Sequence, residues 1–345
     1  MAGIIDVAAR AGVSVATVSR ALRGLPGVAD ATREDVRAAA AELGYVASPS
    51  AAGLPTGRTG AVGIVAPWIT RWFFTAVIEG AAEVLVERGF DLLLYDLGGA
   101  AEARRRALDT KLLNKRVDAL LVLSLPLTPG EVDSLGRLHR PVAMVGPTVS
   151  GLSGVRIDDV DVGRVATEHV VELGHERIAF VGGDPTDQLG FPVAPDRLMG
   201  YKSALSAAGI EADPSLVVPA EFTVDGGIRA MSQLTALRSP PTAVVAASDE
   251  IAIGLLYGAR RAGVSVPEDL SVVGVDDHDM SRLFDLTTVA QPVREQGRIA
   301  ARMLIERLNA VAAVVEHVVT VPTRLVVRAT TARLASRAPA PTPGQ

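Results

Sequence analysis

The sequence predicts an α/β protein in two parts, a three-helix N-terminal unit with helix-turn-helix spacing and a larger core of two parallel-sheet lobes. Residues 2 to 46 are rich in Ala, Arg and Leu and read as helix throughout. Residues 47 to 60 (ASPSAAGLPTGRTG) turn to Ser, Pro, Gly and Thr, a composition that packs no core and marks a connector. From residue 61 onward, short β-branched or Leu-rich runs alternate with longer amphipathic stretches, which is the pattern of parallel strands joined by crossover helices.

In the first unit, Ile4, Ile5, Val7 and Ala8 place apolar residues three and four apart, and Gly12 permits the tight turn that ends the helix. Ser14 stands where its hydroxyl caps a second helix, SVATVSRAL, with Val18 and Leu22 on one face and Val15, Ala16, Ser19 and Arg20 on others. In this geometry the start of the second helix enters the DNA major groove. There Arg20 can bond a guanine edge or a phosphate, Val15 and Ala16 can meet thymine methyls, and Thr17 and Ser19 suit phosphates. A third helix from about Asp30 to Leu43 turns Val36, Ala40 and Leu43 inward, displays Arg33 and Arg37, and ends at Gly44 with Tyr45 folding back.

In the core, AVGIVAP, FDLLLYDL, DALLVLSL and PVAMVG read as strands, with FFTAVIEGAAEVLVERG and residues 101 to 115 as helices. The rhythm restarts at RIAFVGG, continues through a helix near 196 to 209, and repeats in TAVVAASD, EIAIGLLYGARRAG and LSVVGVDD, so a second, similar lobe is expected. The last stretch, LTTVAQPVREQGRIAARMLIERLNA then VVTVPTRLVVRATT, supplies a strand, a helix and further strands. The expected division is 1–46 for the helical unit and 47–60 for the connector, then 61–335 for the core. Within the core one lobe takes 61–160 and 292–320, the other 161–291 and 321–335, with chain crossings near Asp158 to Asp161, Gln291 and Val321. The tail 336–345, with three prolines, is expected to be disordered.

Composition narrows the function. The 345 residues carry a net charge of -5, so any nucleic-acid surface has to be local. There is no cysteine, which excludes disulfides, zinc knuckles and thiol nucleophiles together. No secretion signal is expected from MAGIIDVAARAG, and no apolar run reaches the roughly 20 residues that span a bilayer. The five histidines show no HExxH spacing, VGGDPTD lacks GxGxxG, and no GxSxG elbow occurs. No metal, no cofactor and no enzymatic activity are expected.

Polar residues gather where strands should end, which is where open parallel sheets bind ligands. Asp276 and Asp277 end LSVVGVDD, and Ser248 and Asp249 end TAVVAASD. Such side chains either bond paired hydroxyls of a ligand or cap the following helix. Arg197 can fork onto ligand oxygens. Trp72, Phe73 and Phe74 either stack on a ligand ring or serve as helix core.

DVAARAGVSVATVSRALRG followed by TREDVRAAAAELGY closely resembles the N-terminal domain of the LacI/GalR family of bacterial repressors. ELGHERIAFVGG, DRLMGYKSAL, ASDEIAIGLL and LSVVGVDD resemble its core, which is similar to periplasmic sugar-binding proteins. The resemblance spans essentially the whole chain. It implies base-reading positions at Val15, Ala16 and Arg20, and backbone contacts at Ser14, Thr17, Ser19, Arg23, Thr32, Arg33 and Tyr45. Leu54 matches a leucine that members lever into the minor groove from a hinge helix, though Gly53 and Pro55 beside it disfavour a helix interior. Gly3 and Ala29 depart from the Thr and Ser usual there, which cap helices and touch phosphate. Effector positions are implied at Arg197, Ser248 and Asp276, and also at Trp72, Phe73 and one of Asp158, Asp159 or Asp161, with Asp158 taken here. Ser248 replaces a common asparagine. The resemblance further implies a cytoplasmic homodimer on a near-palindromic operator, with a sugar or sugar derivative held between the lobes as inducer, or a nucleobase-type corepressor. A transporter's solute-binding subunit would share the two lobes and lack the helical unit. An α/β enzyme would need a convergent catalytic set. Neither accounts for residues 4 to 45.

Overall fold

The computed structural model describes residues 2–22, 24–45, 58–183, 190, 193–310 and 315–334. Arg23, most of the connector with Gly53, Leu54 and Pro55, and the tail 336–345 lie outside the described residues.

Helices α1 (Ile4–Ala11), α2 (Val15–Leu22) and α3 (Asp30–Glu42) form the N-terminal unit. Gly12 ends α1 in the left-handed region at φ 67°, where a side chain would be strained. Val7, Ala8, Val18, Ala21, Val36, Ala39 and Ala40 are its buried core. Leu43 and Tyr45 pack half-buried against it, and the Tyr45 amide donates to the Ala40 carbonyl at 2.8 Å, closing α3.

The first parallel sheet contains β1 (Ala61–Ala66), β2 (Asp91–Asp96), β3 (Ala119–Leu123), β4 (Val142–Val145), β5 (Ser153–Arg156) and β11 (Val318–Thr320), in the order β11-β5-β4-β3-β1-β2. The second contains β6 (Ile178–Val181), β7 (Val217–Val218), β8 (Ala243–Ala246), β9 (Ser271–Asp276), β10 (Thr287–Ala290) and β12 (Arg324–Val326), in the order β12-β10-β9-β8-β6-β7. Among the described residues only β12 runs antiparallel to its neighbour. Central strands such as β3 are buried along their whole length, as sheets covered on both faces require, whereas the edge strand β2 is partly exposed.

Around the first sheet lie α4 (Trp72–Glu87), α5 (Ala101–Ala107), α6 (Thr110–Arg116), α7 (Pro129–Gly136) and α12 (Val293–Asn309). Around the second lie α8 (Asp159–Glu172), α9 (Val193–Ala207), α10 (Val224–Thr235) and α11 (Asp249–Ala262). The single helix expected over 101 to 115 is two. It breaks at Leu108 and Asp109, because the Asp109 carboxylate takes the Lys111 amide at 2.8 Å and starts a new helix. The helix expected from 196 begins at Val193. Among the described residues the chain passes between the sheets three times: between β5 and α8, between β10 and α12, and between β11 and β12.

Candidate ligand cleft and nucleic-acid interface

The cleft lies where the carboxyl ends of both sheets meet, which is the position open parallel sheets offer to ligands. Its void, open mouth included, is about 700 Å³. Trp68, Phe73, Phe74 and Phe222 give it apolar walls, and its polar set includes Asp159, Arg197, Glu250, Asp276, Gln291 and Gln296.

Arg197 organises the polar set. Close contact between α8 and α9 sets its position, because a Cβ on Gly163 would collide with the Arg197 carbonyl. Its Nε donates to Asp159 Oδ1 at 2.8 Å, one Nη donates to the Ala247 carbonyl, and Asp276 Oδ1 stands 3.9 Å from that same Nη. Asp276 also accepts Gln291 Nε2 at 2.6 Å, and Gln296 Nε2 donates to Gln291 Oε1 at 2.8 Å. The set therefore links six segments: α8, α9, the residue after β8, the end of β9, the β10–α12 crossing and α12. Asp276 holds φ at 124°, a strained conformation for a residue with a side chain, and such strain concentrates at binding sites.

Burial outweighs the guanidinium in this cluster. Desolvation raises the carboxyl pKa of Asp159 and Asp276 above the ordinary range, with Arg197 pulling the other way. Burial, with the Asp276 charge nearby, pushes Glu250 up to about 7. An acidic, partly desolvated cleft organised around the Arg197 guanidinium suits hydroxyl-rich ligands, since carboxylates accept hydrogen bonds from hydroxyls and a guanidinium donates to ligand oxygens.

Phe73, Arg197, Ser248 and Asp276 all line this cleft. Ser248 also caps α11, taking the Ile251 amide at 3.3 Å, so it fills the capping role from a position that lines the cleft. Two expected effector residues lie elsewhere. Asp158 spends its carboxylate capping α8 through the Asp161 amide at 3.0 Å, and the next residue, Asp159, reaches the cleft instead. Trp72 turns its indole N–H to Asp279 at 3.0 Å and packs against the His278 ring at 4.6 Å between centroids, while Trp68 takes the wall position. Phe74 is both buried core and lining, edge-on to Phe73 at 5.4 Å. Asp249 is buried and bonded to Ser281, Thr288 and the His278 amide at 2.6, 2.7 and 2.8 Å, which makes it a tie between α11 and the β9–β10 region. Sequence reasoning did not single out Trp68, Phe222, Glu250 or Gln296. Only Glu250, in the first turn of α11 two residues after Ser248, carried a local signal.

On the N-terminal unit, Ser14 Oγ takes the Thr17 amide at 3.1 Å and meets its hydroxyl at 2.9 Å, capping α2. Val15 is 41% exposed, and Ala16 and Arg20 are exposed too, so α2 presents these side chains outward while Val18 and Ala21 face the core. Thr17, Ser19, Thr32 and Tyr45 are half-buried. Arg33 differs from the displayed residue expected. Its guanidinium turns in to the carbonyls of Ala21, Leu25 and Val28 at 3.3, 3.2 and 3.4 Å and ties the α2–α3 loop. Gly3 and Ala29 start α1 and α3 without a side-chain cap, and Asp6 takes the Gly3 amide at 2.7 Å. No helix among the described residues is long and apolar enough to cross a membrane.

Comparison with known proteins agrees with this architecture. Residues 3–48 match the family model "Bacterial regulatory proteins, lacI family", and residues 167–331 match a periplasmic binding protein-like domain. The chain is 35% identical over 315 residues to the HTH-type transcriptional repressor PurR of Vibrio atlanticus, covering 90% of this chain and 92% of that protein. Among solved structures it is similar to a transcriptional regulator CelR–cellobiose complex, at TM-score 0.69 and 34% identity over 96% of this chain and all of that one. It is also similar to a ribose-bound LacI family transcriptional regulator from Enterococcus faecium, at TM-score 0.71 and 29% identity over 79% and 99% of the two chains. With the helix-turn-helix unit and the two-sheet core both in place, the chain belongs to the lacI family of bacterial regulatory proteins and is a DNA-binding transcription regulator.

Proposed function

We propose that this regulator is a repressor whose operator affinity is set by a small saccharide bound in the cleft between the two sheets. The observation that carries the reading is the buried Arg197–Asp159–Asp276–Gln291 set in a cleft walled by the aromatic side chains of Trp68 and Phe73, a pairing of fixed polar groups with aromatic surface that suits a sugar. The cellobiose and ribose found in similar regulators support the choice of ligand class. In this reading residues 1–46 read DNA, 47–60 connect, and 61–335 bind effector and dimerise. The face of α2 with Val15, Ala16 and Arg20 enters the major groove, and Ser14, Thr17, Ser19, Thr32 and Tyr45 hold the backbone. Two copies read the halves of a near-palindromic operator in the cytoplasm. Exposed apolar side chains support dimerisation: Tyr257, Met280, Leu283 and Phe284 on one lobe, Val86 and Leu94 on the other. The cleft carboxylates serve binding and no catalytic step.

Calorimetric titration with a panel of neutral mono- and disaccharides, sugar phosphates and purines tests the ligand class. A neutral sugar that binds wild type and loses binding in Arg197→Lys supports the reading. Binding confined to a purine or a phosphorylated compound contradicts it.

A further inference from the structure

The connector enters the core at a point held from three sides. Asp118, just before β3, is 0% exposed, and its two carboxylate oxygens accept the amides of Thr59 and Gly60, each at 2.8 Å. Arg140 stands 3.6 Å from the same carboxylate. A carboxylate persists at such burial only when its lone pairs are filled, and here two successive residues immediately ahead of β1 fill them. On the other flank the Asp91 amide, at the start of β2, donates to the Gly60 carbonyl at 2.8 Å. The third hold comes from a helix: Arg58 Nη2 donates to the Leu308 carbonyl at 2.7 Å. Leu308 lies in the last turn of α12, where carbonyls lack partners within the helix and carry the negative end of its dipole.

The opposite end of α12 borders the cleft. Gln296 lines it and is bonded to Gln291, which holds Asp276. One helix thus spans about 18 Å from a cleft side chain to the carbonyl that grips the connector.

We propose that α12 transmits the state of the cleft to the DNA-binding headpiece through Arg58, with Asp118 as the fixed point. Asp118 pins residues 59 and 60 to the first sheet, so a shift of α12 along that sheet redirects the chain at Arg58, where the connector leaves. Arg58 and Asp118 are positioning residues and touch neither ligand nor DNA. The inference rests on the regulator reading above.

The test uses the full chain and a duplex that the wild-type protein selects from a random-sequence library, and it reads amide hydrogen exchange over residues 293–309 with and without that duplex. Coupling is reciprocal, so DNA binding at the headpiece must register in α12, and about fivefold slower exchange is expected in wild type. In Arg58→Met, an exposed substitution that spares the fold, the duplex still binds and the response of α12 disappears. Arg58→Lys, which keeps a donor, restores it. A full response in Arg58→Met, or none in wild type that binds the duplex, overturns the proposal. If wild type selects no duplex, the regulator reading itself fails and takes this inference with it.

Discussion

Arg197 on α9 and Asp159 on α8 form an ion pair, Nε to Oδ1 at 2.8 Å, in which both side chains are almost wholly withdrawn from solvent. The guanidinium is the nearest countercharge to two buried carboxylates, Asp159 and Asp276. Removing it leaves both uncompensated. Arg197→Met should cost roughly 3 to 5 kcal/mol of core stability, the usual result of breaking a buried pair from one side. Urea denaturation checks this. The double variant Arg197→Met with Asp159→Asn should recover part of the loss, because the two changes share one interaction.

The approach of α8 to α9 depends on Gly163. A Cβ there would collide with the Arg197 carbonyl, which is backbone and cannot swing aside. Gly163→Ala is expected to separate the two helices and cost about 1 to 3 kcal/mol, as overpacking does, although alanine is the better helix former. A rise in stability on this substitution would show that the helices do not meet there.

Glu250 gives a pH signature. Its carboxyl sits at about 7 in the folded chain against 4.5 for the free group, chiefly because burial disfavours the charged form. Between those values the folded state holds a proton that the unfolded state has already lost, so stability falls as pH rises from about 4.5 to about 7 and levels off above. Asp276 and Asp159 act in the same direction. Glu250→Gln should flatten the profile and be the more stable protein at pH 8, as read from urea midpoints across the range.

Two arginines of the headpiece should separate cleanly. Arg20 is exposed on α2, and Arg20→Ala is expected to relax discrimination at one base position by about 1 to 3 kcal/mol without changing the melting of the headpiece. Arg33 bonds one carbonyl in the last turn of α2 and two of the α2–α3 loop, so Arg33→Ala should lower headpiece stability by about 1 to 2 kcal/mol and weaken binding to all duplexes alike. Binding to a set of single-base variants, together with thermal melts, distinguishes the two.

Much of the fold was legible because period and punctuation agreed. Apolar runs such as ALLVL and AVVA are continuous because both faces of their strands are covered, and Gly12 and Gly44 mark helix ends where left-handed backbone is needed. Elements escaped where local signals conflicted or were too short. Helix α10 begins VDGG, and two glycines read as breakers, yet Gly227 and Gly254 are what let α10 and α11 touch backbone to backbone. Strands β5 and β7 span four and two residues and show no usable alternation. Helix α7 did carry a signature, Thr128 and Glu131 around Pro129, which form a capping box. In the cleft, Arg197, Ser248 and Asp276 could be placed from strand ends and a helix start. Trp68, Phe222 and Gln296 arrive from three distant segments, and only the meeting of the two lobes brings them together.

In the proposed function, occupancy of the cleft governs affinity for DNA. Fluorescence anisotropy of a labelled, library-selected duplex, titrated with this protein at rising concentrations of the sugar that calorimetry identifies, tests it most directly. A shift in operator affinity of about 5- to 150-fold is expected, lost in Arg197→Lys at the same sugar concentration. Unchanged DNA affinity while calorimetry shows the sugar bound would contradict it.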